Sequence, residues 1–292
     1  MTITYPAGLP SFDGSRMTVD TLLRQPTFLQ KRIVPDNRVF LSELLFRRGT
    51  TDSGAVVYNV ARTEDQYPTR GDVGYVEPGA EFPMIDFSEG ENRVATAQKV
   101  GGGYIVTDEA RDRNQVDVIA KGNLKVRNAV VRQDAYRVLQ AFRGAVEVVN
   151  STATWDTAKA MRTDVLEAVA QIKSTQLGYR PDTVLISPKT KTDLLLLDEL
   201  QNYAPRERTD LNPLYSQELA GYLAMNWVEN EYLPDDEAIV LQTRMTGVNV
   251  EEKPFSLEVV REGTRQRNVV IGSRRGMPVV DEPQSALIIK GV

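Results

Sequence analysis

A few short stretches carry residue types that could do chemistry. Asp235-Asp236-Glu237 sets carboxylates side by side, the donor type that a hard cation such as Ca²⁺ prefers. The triplet follows Pro234 and precedes an apolar run, which is the setting of an acidic turn, and that is how we read it. Gly101-Gly102-Gly103 has the composition of a phosphate cradle. It lies between two strand-like pieces, however, and does not open a helix after a strand as a phosphate loop must, so turn or hinge is the better reading. Asn150-Ser151-Thr152 matches a glycosylation sequon, which matters only in a secreted chain. Trp155 and Trp227 could stack on a ligand, but we read both as core anchors. The sequence has neither GxxxxGK[ST] nor GxGxxG nor GxSxG. It also has no His and no Cys. That removes Ser-His-Asp and Cys-His catalysis, disulfides and Cys/His zinc sites. No carboxylate pair is singled out for glycoside chemistry. The expectation is a chain with no catalytic, cofactor-binding or metal site.

The elements that would position such residues tell more. The chain has 292 residues, 41% apolar and 26% charged, the balance of a soluble globular protein. No run approaches the roughly 18 consecutive apolar residues of a membrane span, and Met1 to Pro10 does not read as a secretory signal. A net charge of -5 argues against a dedicated nucleic-acid binder. Residues Met1 to about Ser53 hold two apolar-periodic pieces, Val19 to Leu23 and Val39 to Phe46, separated by Pro26 and Pro35. This predicts an extended arm with short helices. Ala55 to Val60 and Arg93 to Thr107 predict the two strands of a long ribbon, with a distal part rich in Gly, Pro and acid. The arm and the ribbon take up about a third of the chain, yet a lone two-stranded ribbon is marginal in water and long structureless loops are rare in compact domains. Burial by neighbouring copies would resolve this; a mobile lid would need an active site that the sequence does not supply.

Asp108 to Val149 predicts a long helix with a break near Gly122, and with Lys121, Lys125, Arg127, Arg132, Arg137 and Arg143 on the face away from its apolar stripe. A solvated face is the ordinary reading of such a charge run; a mildly basic surface facing DNA is the functional one. Trp155 to Lys173 predicts a cleaner amphipathic helix with Thr154 as N-cap. Thr183 to Ile186 predicts a buried strand, and Ser187-Pro188 opens a helix continued by Asp193 to Leu200. Gln201 to Asn212 predicts a surface loop. Later strands are expected at 225–228, 238–241, 255–261, 268–273, 278–280 and 286–289.

The segment TWDTAKAMRTDVLEAVAQIKSTQLGYRPDTVLISPKTKTDLLLL resembles the axial domain of tailed-bacteriophage major capsid proteins of the Hong Kong 97 fold. The family's motif falls here on Gly178, Pro181, Asp182, Ile186, Ser187 and Pro188. The order of arm, extended loop and spine helix, and the C-terminal RQRNVVIGSRRGMPVVDEPQSALIIKG, are also similar to the family. The resemblance implies an α+β fold with an N-terminal arm (1–54), an extended β-hairpin loop (55–107), a peripheral domain with spine helix (108–150 and 253–283) and an axial domain (151–252 and 284–292). It further implies a virion shell protein, made in the host cytoplasm, that forms pentamers and hexamers. Its partners would be a portal protein and packaged double-stranded DNA bound without sequence specificity, with no membrane. The short stretch before the arm predicts a separate scaffolding protein. Some relatives cross-link a loop Lys to Asn; here no Lys stands between Val60 and Gln98, which predicts a non-covalent shell.

The inter-subunit contacts expected on this reading are Phe40, Leu44 and Phe46 of the arm and Tyr75, Phe82, Met84 and Phe87 of the loop. Arg274 and Arg275 are expected to pair with Glu77, Glu81 or Asp86 of a neighbour's loop. An encapsulin-type nanocompartment is the alternative within the same fold. A hydrolase or binding protein with a ribbon-like lid is the alternative from another class.

Overall fold

The computed structural model describes residues 19–24, 40–62, 67–68, 73–85, 92–197 and 222–292. In chain order the helices are α1 (Val19–Arg24), α2 (Leu41–Leu45), α3 (Asp108–Asp112), α4 (Val116–Ala145), α5 (Ala158–Ser174) and α6 (Pro188–Leu195). The strands are β1 (Arg47–Thr50), β2 (Ala55–Asn59), β3 (Asn92–Thr96), β4 (Gln98–Thr107), β5 (Val148–Asn150), β6 (Thr183–Ile186), β7 (Asn226–Glu229), β8 (Glu237–Leu241), β9 (Gly247–Glu262), β10 (Arg267–Val280) and β11 (Ala286–Lys290). They form a four-stranded sheet β1-β9-β10-β4, a five-stranded sheet β5-β11-β8-β6-β7 and the two-stranded hairpin β2-β3.

The runs TVLI, EAIVL and ALII are apolar almost without interruption because the five-stranded sheet is covered on both faces. Side chains alternate along a strand. Val184, Ile186, Ala238, Val240, Leu287 and Ile289 pack with α5 through Met161, Val165 and Ile172. Leu185, Ile239, Leu241, Ala286 and Ile288 turn to the other side, against Leu139 and Phe142 of α4 and Leu45 of α2. The other end of α4 serves the four-stranded sheet, where Ile119 packs with Val106, Leu257, Val270 and the α1 residues Val19 and Leu22. One 30-residue helix therefore holds two sheets together.

The structure corrects several sequence expectations. The Gly101-Gly102-Gly103 run is neither turn nor hinge: it lies inside β4, opposite Ser273, Gly272 and Ile271 of β10. A Cβ on Gly101 would stand 2.6 Å from the Gly272 carbonyl oxygen, so the close approach of β10 demands glycine. The ribbon accordingly divides: β3 pairs with β2, while β4 joins the ladder of β10. The long helix does not break at Gly122. The interruption comes between α3 and α4, where Asn114 takes a φ of 52°. At Gly122 the Tyr104 ring seats against the helix, within 2.5 Å of where a Cβ would be. The amphipathic helix α5 starts three residues later than expected, with Thr157 rather than Thr154 as N-cap, accepting from the Ala160 N–H at 3.2 Å. The strands expected at 268–273 and 278–280 are one strand, β10, and β9 begins at Gly247 and runs unbroken across position 253. Pro254 is accommodated where the β9–β10 register shifts, since a proline cannot donate to a ladder. Ser187 does cap α6, accepting from the Thr190 N–H at 3.1 Å, with Pro188 in the first turn. That helix ends at Leu195. The loop expected at Gln201 to Asn212 lies outside the described residues.

Candidate assembly surface

Among the described residues, Arg274 is the centre of a cluster of three carboxylates. It is expected from sequence to face a neighbour, and the structure corrects this. Only 7% of its side chain is exposed. Nη1 donates to Asp134 Oδ1 at 3.1 Å, Nε to Glu251 Oε1 at 2.8 Å and Nη2 to Glu43 Oε1 at 3.3 Å. Its guanidinium carbon sits 4.2 Å from the centre of the Phe40 ring. Asp134 also accepts from the Ser42 N–H (3.1 Å) and hydroxyl (2.9 Å). The alternation of β10 decides the matter: Asn268, Val270, Gly272 and Arg274 turn inward toward α4. Arg274 thus ties the root of the arm to the spine helix and the four-stranded sheet. Nearby, Arg137 donates to the Gly276 carbonyl at 2.7 Å, and burial lowers its pKa.

The other expected contact residues divide into two groups. Phe46 is 1% exposed and packs on Phe142 with ring centres 5.3 Å apart, so it belongs to its own chain's core. That too is a correction: an apolar residue in an arm is not thereby an outward one. Phe40 is half-buried under Arg274, and Leu44 is exposed. Arg275 pairs with Glu252 of its own chain at 2.5 Å while its side chain remains 40% exposed. In the loop, Tyr75, Glu77, Glu81, Phe82 and Met84 are all exposed, with Phe82 at 78% and Met84 at 92%. The stretch turns at Glu77-Pro78-Gly79-Ala80, where the Ala80 N–H donates to the Glu77 carbonyl at 2.9 Å and Gly79 takes a φ of 88°, as the third residue of a type II turn does. Phe87 and Asp86 lie outside the described residues. Large apolar groups exposed together are a common feature of interaction surfaces. The hairpin that carries them is rooted by Val56, Tyr58 and Ala95 on Val250, Met277 and Val279, and by the Ala61 N–H donating to the Asp281 carbonyl at 2.8 Å. Arg47 pairs with Asp281, whose carboxyl burial pushes up in pKa against the pull of that arginine.

The stretches with chemical potential prove to be structural. In the acidic triplet Glu237 turns inward to Arg143 (2.7 Å) and Lys290 (3.6 Å), while Asp235 stays outside near Lys189 (3.9 Å). Among the described residues no group of three acidic side chains has the geometry to hold a metal ion. The sequon hydroxyls serve a residue that sequence reasoning missed. Asp164, 5% exposed, accepts from Ser151 Oγ (2.6 Å), Thr152 Oγ1 (2.6 Å), Thr152 N (3.2 Å) and Trp155 Nε1 (2.8 Å). Burial raises its pKa, but these hydrogen bonds together outweigh burial and hold it below the ordinary carboxylate value. Trp155 is thereby a core anchor with a polar tether, and residues 154–157 lie ahead of the helix. An acid on the apolar face of a predicted helix was the only sequence signal for this site.

No helix of the described residues is long and apolar enough to cross a membrane. The profile of the family described as phage capsid protein matches residues 90–289. A search of curated protein sequences returns no match. Among solved structures, the capsid of the cyanophage P-SCSP1u superposes with a TM-score of 0.65 at 15% identity, covering 97% of this chain and 93% of that one. The virus-like particle from Pyrococcus furiosus superposes with a TM-score of 0.62 at 10% identity, covering 92% and 98%. A structure from Mycobacterium phage Bobi gives 0.55 at 15% identity, covering 84% and 88%. The α+β arrangement is the Hong Kong 97-like fold of phage capsid neighbours. With two thirds of its length matched by the family profile, an exposed apolar loop and a spine helix joining two sheets, the chain belongs to the phage capsid protein family.

Proposed function

We propose that this chain is the major head protein of a tailed phage, a structural subunit without enzymatic activity that closes into an icosahedral shell of pentamers and hexamers around double-stranded DNA. The observation that carries the reading is the loop at 73–85, whose Tyr75, Phe82 and Met84 are the most exposed of the large apolar side chains along with Val73. A second copy would bury them. Modest contacts suffice, because closure multiplies them and symmetry fixes their geometry. Leu44 and Arg275, exposed at the arm root and on β10, are the further candidates for contact with a neighbour, with Glu77 and Glu81 of the loop as charged partners for Arg275. On this reading the peripheral domain is 108–150 with 253–283, and the axial domain is 151–252 with 284–292. A portal protein and a separate scaffolding protein complete the assembly in the host cytoplasm. The shell is non-covalent, because the loop between Val60 and Gln98 has no Lys.

Negative-stain micrographs of particles purified from producing cells test the reading. Closed shells containing DNA are expected. A protein that stays monomeric at micromolar concentration under all conditions would overturn it. The likeness to a virus-like particle supports a second reading, an encapsulin-type shell; closed particles enclosing a protein cargo and no DNA would favour it. A ladder of covalent oligomers on denaturing gels would refute the non-covalent shell. Expression of the chain alone checks the scaffold, since correctly sized shells made without any second protein would remove the need for one.

A further inference from the structure

A small polar cavity lies between α4 and the four-stranded sheet. Its lining includes Val130, Asp134 and Arg137 of α4, Asn249 of β9, and Arg274 and Gly276 of β10. The sheet is irregular there: the β9–β10 register shifts on both sides of Arg275, next to Gly276. Such shifts bend a strand and take backbone groups out of the ladder. The Gly276 carbonyl accepts from Arg137 Nη2 at 2.7 Å. Asn249 is the unexplained member of the set. It is only 4% exposed, and among the described residues its side chain has no hydrogen-bond partner. The alternation of β9 turns it inward, on the same side as Pro278, its partner on β10. A buried amide left unpaired is costly, and where no protein group is in reach an ordered water usually serves it.

We propose that this cavity is a binding site for one structural water, which joins the Asn249 amide of β9 to Asp134 and Arg137 of the spine helix α4. Size fixes the occupant first. The cavity gives the centre of a water-sized sphere about 10 Å³, and one water needs about 10–15 Å³ by that measure. Charge fixes it next. Arg274 is met by Asp134, Glu251 and Glu43, and Glu43 also pairs with Arg48. With Arg137 added, the cations and carboxylates of the cluster cancel. An anion would have to sit beside the Asp134 carboxylate and a cation beside two guanidiniums, so a neutral ligand is favoured. Bonding capacity agrees. Asp134 accepts three hydrogen bonds, from the Ser42 N–H, the Ser42 hydroxyl and Arg274, and a carboxylate has about four lone-pair sites. Arg137 has N–H groups beyond the one given to Gly276. A water there finds donors and acceptors together, as a buried water requires. The joint of arm root, spine helix and sheet is then hydrogen-bonded throughout.

Two measurements test this. An experimental density map of the native protein, at a resolution that shows ordered waters, should hold one peak within hydrogen-bonding distance of the Asn249 amide and of Asp134 or Arg137. A cavity without a peak would overturn the proposal. So would a peak that bromide replaces on soaking, which would make the occupant an anion, or a side chain of a neighbouring copy standing in its place. The second measurement is the urea midpoint of Asn249→Leu, an apolar change of similar volume. If Asn249 is bridged by a water, Leu removes one partner of that water and leaves the others short, and the midpoint falls. If the amide is simply unpaired, Leu relieves a buried polar group and the midpoint rises. A midpoint that rises or stays unchanged would overturn the proposal. Should the variant fail to fold, the density map of the native protein decides alone.

Discussion

The five-stranded sheet and the distal loop treat apolar side chains in opposite ways. In the sheet, β6, β8 and β11 send alternate residues to α5 and to α4, and the strand interiors are closed off from water within one chain. In the loop, Tyr75, Phe82 and Met84 stand in solvent on a two-stranded stem. The first region needs nothing outside the subunit. The second makes sense only when something else covers it. The Arg274 cluster lies between them in character: charged groups that on a surface would contribute little are here buried and mutually dependent.

The contrast can be broken most sharply at Asp134. Asp134→Ala would leave Arg274 buried without its α4 partner, and a loss of about 3–5 kcal/mol in urea unfolding of the subunit is expected. If the midpoint barely moves, the cluster does not hold the arm root. Next comes Asp164. Asp164→Ala strands the donors of Ser151, Thr152 and Trp155, which should cost about 1–3 kcal/mol. Because the folded-state carboxyl is held below its ordinary value, its stabilisation is present above the unfolded pKa of about 4 and fades as pH falls through the lower folded value. Native protein should therefore lose stability between neutral pH and about pH 3 by more than Asp164→Ala does, measured by denaturant titration at each pH. Gly122→Ala should gain up to about 1 kcal/mol of helix propensity, yet destabilise by about 1–3 kcal/mol because the Tyr104 ring has nowhere to go. Combining it with Tyr104→Ala should cost less than the sum of the two. The smallest effect on stability belongs to the loop. Phe82→Ser with Met84→Ser should shift subunit unfolding by no more than about 0.5 kcal/mol each, while sedimentation shows shells giving way to capsomers. Normal shells from that variant would remove the loop from the interface.

Much of the fold was legible because its signals are local. Ser187-Pro188 announces a helix start by chemistry confined to a few residues, and TVLI announces a buried strand by composition. The period of α5 was clear, but its first turn was not, because the tether of Trp155 to Asp164 draws on residues on both sides of it. Of the expected contact residues, Tyr75, Glu77, Glu81, Phe82 and Met84 of the loop lie exposed, whereas Phe46 and Arg274 lie inside. An arm Phe and a strand Arg look the same in sequence whether they point in or out, and only the pairing of β10 with β4 and β9 sets which face Arg274 occupies.

Residue types and their order were enough to establish that the chain has no Cys/His chemistry and that its elements follow one another as in a phage capsid subunit; the expectation that arm and ribbon need a neighbour for burial did not hold for α1, α2 and β4, which pack within the chain. Periodicity, capping and composition act over one to four residues, and they survive in a linear reading. Only the folded chain shows that three consecutive glycines form a strand, that Gly122 is a seat for a tyrosine ring, and that Arg137 of α4 turns inward to the Gly276 carbonyl. Each of these depends on which distant backbone comes within a few ångströms, and sequence spacing carries no record of that.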